Sequence, residues 1–225
     1  MSAAADGNIT AENTHAGLMD RMYRHQRHFY DLTRKYYLLG RDETIAKLDV
    51  PFGGTLLEVG CGTGRNLLLA QRHFSHCRLY GLDISSEMLA TAQGNFREST
   101  AKPHLIVADA TTFTSTNFGI EAGFDRIMIS YALSMIPDWE SAIDAAIAAL
   151  APNGSLHIVD FGQQENLPAL FKSFLQSWLA RFHVTPRKTL RQVLEERVKT
   201  RNASLEFQAL GRGYAWRAVV RLSKQ

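Results

Sequence analysis

Apolar and polar positions change period several times along this 225-residue chain. From His15 to Gly40, Leu18, Met19, Met22, Tyr23, Phe29 and Tyr30 recur at the spacing of a helix with one apolar side, which predicts one helix or two. "DVPFGG" breaks that pattern. Short apolar runs then alternate with helical ones. "TLLEVG", "CRLYGLD", "HLIVADA", "FDRIMIS" and "SLHIVDF" read as buried strands. Asn66–His73, "SSEMLATAQGNF" and Trp139–Leu150 read as helices between them, the second capped by serine with a glutamate in its first turn, the third closed by "PNG". This alternation predicts an α/β fold, a mostly parallel sheet with helices on both faces.

The rhythm changes after Phe161. "LPALFKSFLQSWLARF" reads as an apolar helix and "RKTLRQVLEERVKT" as a basic one. "SLEFQAL" and "YAWRAVVRL", joined by the glycine-bearing "GRG", read as a terminal hairpin. No internal repeat or low-complexity linker interrupts the chain. The expected organisation is a tail at 1–14, a helical lid at 15–50, and one domain over 51–225 whose part from 167 onward faces the substrate or a membrane.

Composition adds a location. Two cysteines, Cys61 and Cys77, are too few for a disulfide framework and suit a reducing compartment. No apolar run approaches the roughly 20 residues of a spanning helix. The opening "MSAAADGNITAENTHAG" lacks the basic start and apolar core of a signal peptide. A soluble, cytoplasmic protein is expected.

Charge is unevenly spread. Residues 1–50 carry seven basic and seven acidic side chains, residues 51–166 six and twelve, and residues 167–225 twelve and three. A final segment of net charge +9 on an acidic body suggests a polyanion partner, nucleic acid or an anionic bilayer. A solvated basic face is the plainer alternative.

The candidate chemistry begins in "LLEVGCGTGRNLLLA", where Gly60, Gly62 and Gly64 stand between a strand and a helix. Glycines there let a ligand reach bare main chain. The spacing is GxGxG; a dinucleotide fingerprint would place its third glycine where Arg65 stands. Glu58, near the end of a buried strand, is costly unless it meets a partner, and an ammonium group on the ligand would be one. A sulfonium cofactor carrying a methionine amine supplies that group; NAD does not. Asp83 ends the next strand, where an acid accepts from ribose hydroxyls. Asp109 ends the third, where a carboxylate can accept from an adenine amino group while the Ala110 N–H meets a ring nitrogen. Met88 would cover an adenine face. Singly, the aspartates also read as helix caps and Met88 as core. Their placement at consecutive strand ends favours the ligand.

"LLEVGCGTGRN", "GLDISSEML", "VADAT", "FDRIMISYALSMIPDW" and "LAPNGSLHIVDFG" resemble the successive motifs of class I S-adenosylmethionine-dependent methyltransferases, a likeness extending from about Tyr30 to Leu222. The resemblance implies a Rossmann-like seven-stranded sheet whose last strand is antiparallel. It places the methionine part of the cofactor at Glu58 and the loop Gly60, Cys61, Gly62, Thr63 and Gly64, with Asn66 and Ser130 beside it. Asp83 and Ile84 would meet the ribose, and Met88, Asp109 and Ala110 the adenine. Tyr30 would close over the cofactor, and Arg41 would pair with its carboxylate or, alternatively, form a surface ion pair. Cys61 is expected as a small neighbour of the cofactor rather than a nucleophile.

For the acceptor, "SYALSMIP" stands where nucleic-acid amino-methyltransferases of this fold commonly carry an "NPPY"-type stretch, so no nucleic acid is expected. No metal is expected either, since His73, His76 and Cys77 lack a second ligand pair. The basic, aromatic "HAGLMDRMYRHQRHFYDLTRKYYLLGRD" reads either as a cap on the core or as a lid that lies on anionic lipid. "RHQRHFYDLTRKYYLLGRD" with "CGTGRN" is similar to bacterial lipid head-group N-methyltransferases, particularly those that trimethylate diacylglyceryl-homoserine to a betaine lipid. Phosphatidylethanolamine methyltransferases are near neighbours, and "YDLT" followed by "LG" also resembles quinone-ring methyltransferases. The resemblance implies a lipid substrate and a peripheral position on the inner face of the membrane. Tyr23, Tyr30 and Tyr131 are candidates to orient the acceptor amine, and Asp160 to attract its ammonium form; packing in a closed lid is the alternative for each. A basic RNA-binding module that merely keeps the fold would not need Glu58, Asp83 and Asp109 together.

Overall fold

The computed structural model describes residues 38–182 and 184–223. Seven strands form one sheet: β1 (Thr55–Val59), β2 (Arg78–Asp83), β3 (His104–Val107), β4 (Phe124–Ser130), β5 (Leu150–Phe161), β6 (Ala203–Leu210) and β7 (Ala215–Leu222). Their order is β3-β2-β1-β4-β5-β7-β6. The first five pair in parallel, whereas β7 runs antiparallel to both β5 and β6. The expected sheet, with its antiparallel terminal hairpin, is present.

Helices cover both faces. On one side α1 (Arg41–Ala46), α2 (Arg65–His73) and α3 (Ser86–Asn95) set Ile45, Leu67 and Leu89 against Leu56, Leu79 and Met128. On the other, α4 (Trp139–Ala148) and α6 (Leu190–Lys199) pack Ile143 and Leu194 on Leu57, Ile127 and Ile158. The strand period explains the division: Leu56 and Leu57 are adjacent in sequence and enter opposite cores. A third cluster joins α5 (Ala169–Arg181) to the ends of β4 and β5 through Leu175, Leu179, Tyr131 and Phe161.

Three local features differ from the sequence pattern. Gly40 stands before a helix: it precedes α1 with φ +80°, and a side chain there would strike Leu210. The helix it opens carries Asp42 and Glu43 in its first turn, which suits the helix dipole. "PNG" does not lie outside regular structure either. It falls within β5, whose pairing with β4 shifts register between Phe124 and Arg126, with Asn153 at φ +63°. A bulge needs turn-forming residues as much as a helix stop does. Finally, β3 ends at Val107, so Asp109 lies in the turn beyond the strand.

Candidate active site

Residues 15–37 of the expected lid, with Tyr23 and Tyr30, lie outside the described residues. The described site begins where the sheet's connections diverge. After β1 the chain turns to α2 on one face, and after β4 to α4 on the other, leaving a crevice between the two strand ends. A cleft of about 280 Å³ opens there.

Its floor is the glycine loop. The N–H groups of Gly60 and Cys61 both donate to the Leu82 carbonyl at 2.9 Å, tying the loop to β2. Gly60 has φ +71°, and a Cβ on it would stand 2.8 Å from the Ala132 side chain across the crevice. Gly64 serves a different end. A Cβ there would meet Phe96 and Ala92 of the α3 region at 3.1 and 3.2 Å, so its bare backbone admits a helix rather than a ligand. Among the loop glycines, Gly60 and Gly62 line the cleft.

Asp83 stands at the next strand end. Its two oxygens accept from the backbone N–H of Gly62 at 2.8 Å and of Ser85 at 2.9 Å. Those two bonds aim the carboxylate at the end of the strand, where an acid meets the hydroxyls of a ribose. Ile84 and Met88 line the cleft beside it, and Ser85 caps α3 by accepting from the Met88 N–H. Asp109, Ala110 and Thr111 form the far wall. One Asp109 oxygen accepts from both the backbone N–H and the hydroxyl of Thr111 at 2.8 Å, which fixes the carboxylate at the rim.

A separate small cavity of about 20 Å³ shares Gly60 with the cleft, and Arg41, Glu58, Cys61, Thr63, Asn66 and Ser130 line it. The Asn66 amide donates to Glu58 at 2.7 Å and holds that buried carboxylate in place. Arg41 is buried and pairs with the exposed Asp42 at 2.7 Å. The Ser130 hydroxyl is buried with no hydrogen-bond partner among the described residues. A cation, an anion and a waiting hydroxyl suit an amino-acid zwitterion, the methionine end of S-adenosylmethionine. The residues present therefore fit the cofactor along its length. Cys61 packs toward Gly81, where a Cβ would lie 2.8 Å from its sulfur. Burial, with Glu58 and Asp83 nearby, raises its pKa and keeps it a thiol, so it is no nucleophile.

Tyr131 and Asp160 both have their polar atoms engaged by the protein. Tyr131, at φ +54°, borders the cleft, but its hydroxyl donates to the Leu39 carbonyl at 2.7 Å and its ring meets Phe161 edge-on at 4.7 Å. Burial, then Asp160, pushes the phenol pKa far up, so its proton stays. Asp160 is buried behind the loop, where it accepts from the Ser134 N–H at 3.1 Å and the Phe161 N–H at 2.7 Å. Burial raises its carboxyl to about 6 despite those bonds and Arg187. Arg187 grips the same loop, donating to the carbonyls of Leu133 at 3.0 Å and Ile136 at 2.5 Å. Asp160 thus holds the loop that walls the cleft.

That wall contains residues the sequence left unassigned. Met135, Ile136 and Pro137 form an apolar stretch ending in the exposed carboxylate of Asp138, which also caps α4. The signal was "SMIPDW" directly after β4, where the crevice rule places ligand contacts. Among the described residues, no group of three His, Cys, Asp or Glu side chains is arranged to hold a metal. No described helix is long and apolar enough to cross a membrane.

Comparison with known proteins agrees with this geometry. Residues 56–154 match a family described as a methyltransferase domain. A trans-aconitate 2-methyltransferase of Variovorax paradoxus is 31% identical over 116 residues, 52% of this chain and 42% of that protein. A demethylmenaquinone methyltransferase of Bacillus licheniformis is 27% identical over 155 residues, 66% of this chain and 63% of that one. The chain thus spans less than two thirds of the length of either relative. The plantazolicin methyltransferase BpumL, solved with a triazolic desmethylPZN analog and SAH, superposes with a TM-score of 0.69 at 13% identity, over 92% of this chain and 95% of its own. Phospholethanolamine N-methyltransferase 2 of Haemonchus contortus, solved with phosphomonomethylethanolamine and S-adenosylhomocysteine, gives 0.68 at 16%, over 91% of this chain and 59% of its own. The structural likeness establishes the class I methyltransferase fold. The match over residues 56–154 is to a methyltransferase domain, and BpumL, which shares the fold, was solved with SAH bound.

Proposed function

We propose that this chain is an N-methyltransferase that acts on the amine of a lipid head group, by successive methylation of diacylglyceryl-homoserine to the trimethylated betaine. The observation that carries the reading is the cleft wall after β4. Met135, Ile136 and Pro137 offer an apolar path, and Asp138 a solvent-exposed carboxylate at its end. An amphiphile with a cationic head matches that sequence of surfaces.

The cofactor supplies an electrophilic methyl group on a sulfonium. The chain's own part is positioning and desolvation. Gly60 and Gly62 leave room at the cleft floor, Asp83 and Asp109 orient the nucleoside end, and Arg41 and Glu58 fix the amino-acid end. The acceptor must react as a neutral amine, so its ammonium form first gives a proton to water. The first two transfers leave a protonated amine that loses a proton before the next, and the third leaves a quaternary ammonium with none to lose. Asp138 attracts the charged head to the mouth, and an acceptor beyond it is freed to react. Tyr23 and Tyr30 remain our candidates for orienting the nitrogen. An anionic membrane surface is the partner in this reading, with the enzyme peripheral on its cytoplasmic side.

A phosphatidylethanolamine head would use the same surfaces. A quinone ring is the second reading, supported by the likeness to a demethylmenaquinone methyltransferase and by the apolar wall itself. The test is transfer from labelled cofactor to diacylglyceryl-homoserine, phosphatidylethanolamine, a demethylated quinone and total RNA. Label in a lipid amine is expected; label in the quinone alone would overturn the lipid reading.

A further inference from the structure

The helix α5 buries one side and presents the other. Leu175 and Leu179 pack with Tyr131 and Phe161 at the ends of β4 and β5, which anchors the helix beside the cleft. Its outer side carries Leu170, Phe171 and Phe174, which are 90%, 49% and 67% exposed. Six large hydrophobic residues are exposed among the described residues, and half of them stand on this one helix. Phe174 stands four residues from Leu170 and three from Phe171, which places it beside both on the helix surface. A contiguous apolar ridge of that kind marks a contact surface rather than ordinary exposure.

We infer that this ridge inserts into an anionic bilayer and sets the cleft at its surface, an inference that rests on the lipid-acceptor reading above. The surrounding charge selects the occupant. The helix itself carries Lys172 and Arg181 and no acid. From 167 to 225 the chain bears twelve basic and three acidic side chains. Apolar side chains set among basic ones match acyl chains below a negative head-group layer. Arg191, Arg197, Arg201, Arg217 and Arg221 pair with acids of the chain, but a complementary apolar patch on a protein would leave Lys172 and Arg181 of the helix without an answering charge. The ridge also has a geometric merit. The acceptor nitrogen of a lipid lies close to the head-group plane, and α5 shares its buried cluster with Tyr131, which borders the cleft. A lipid can then be methylated with its acyl chains still in the leaflet.

The test compares the wild-type chain with Phe171→Ser/Phe174→Ser on vesicles of phosphatidylcholine alone and with phosphatidylglycerol added. Sedimentation should show wild-type binding to the anionic vesicles and at least a tenfold weaker partition for the double variant. Affinity for S-adenosylhomocysteine should be equal in both, since neither side chain touches the cofactor cleft. If the double variant fails to bind S-adenosylhomocysteine, Leu170→Ser, at the most exposed position, takes its place with the same expected loss. Partition equal to wild type in the folded variant overturns the inference, as does wild-type protein that ignores anionic vesicles. A wild-type dimer that the substitutions convert to monomer, with vesicle binding unchanged, makes the ridge a contact between copies and also overturns it. The two proposals separate cleanly. Ridge-dependent vesicle binding without lipid methylation removes the acceptor reading and keeps the surface. Methylation of detergent-dispersed lipid by a protein whose partition ignores the ridge does the reverse.

Discussion

The buried carboxylate of Asp160 accepts the Ser134 amide at 3.1 Å, so a strand end holds the loop that walls the cleft. Its carboxyl is raised from 3.8 to about 6, chiefly by burial. Between those values the folded chain holds a proton that the unfolded chain has released, and stability therefore falls as pH rises through this window. The loss is about 3 kcal/mol at about 1.4 kcal/mol per unit. Above pH 6 it is complete. Asp160→Asn should remove this slope. His157, which burial holds down at about 3, adds the opposite slope between about 6.5 and 3. Urea unfolding from pH 4 to 7 should accordingly be read as variant minus wild type, and a difference that stays constant with pH would contradict the assignment.

Gly60 and Gly64 should separate binding from folding. Both sit at positive φ, but the Cβ of Gly60→Ala would press on Ala132 inside the cleft, whereas that of Gly64→Ala would press on Phe96 and Ala92. Each substitution should cost about 1–3 kcal/mol of stability from overpacking. The first should also weaken S-adenosylhomocysteine binding at least tenfold in calorimetry, and the second by less than threefold.

Asp83→Asn should weaken the same ligand about 10- to 100-fold, the equivalent of about 1.5–3 kcal/mol for a lost charged hydrogen bond. The substitution also sets an NH2 against either the Gly62 or the Ser85 N–H, because an amide has one accepting arm where the carboxylate has two. Titration calorimetry showing unchanged affinity would remove Asp83 from the ribose position.

Tyr131→Phe leaves the Leu39 carbonyl without its donor and should cost about 1–3 kcal/mol in thermal unfolding. Turnover should fall less than tenfold. A hydroxyl that moved the acceptor's proton would cost about 100-fold or more, so stopped-time assays at saturating cofactor distinguish the two roles.

Much of this molecule could be read from its periodicity. The alternation of apolar runs gives the parallel strands and their helices because each element buries a face whose period is intrinsic to it. The acids at 58 and 83 were legible for a similar reason: a carboxylate at a buried strand end has few explanations. What escaped depends on distant partners. Gly64 looks like its neighbours in sequence, and only the approach of Phe96, 32 positions on, reveals its purpose. Tyr131 and Asp160 have catalytic chemistry, yet Leu39 and Ser134 claim their polar atoms. Asp138 was hidden in the opposite way, since helix capping accounts for it until the cleft is seen to reach it.

The position of β7 between β5 and β6 governs the timing of synthesis. Phe161, at the end of β5, finds its partner at Ala215, and Ser155 finds Arg221. At about 5–20 residues per second, those pairing segments leave the ribosome roughly 3–12 s apart. Throughout that interval a nascent chain presents the open edge of β5, with the apolar ridge of α5 following close behind it. Open edges and apolar surface are what chaperones hold and what aggregates recruit. A ribosome that stalls before position 215 would therefore hold a chain with its cleft residues already made and its sheet still unclosed.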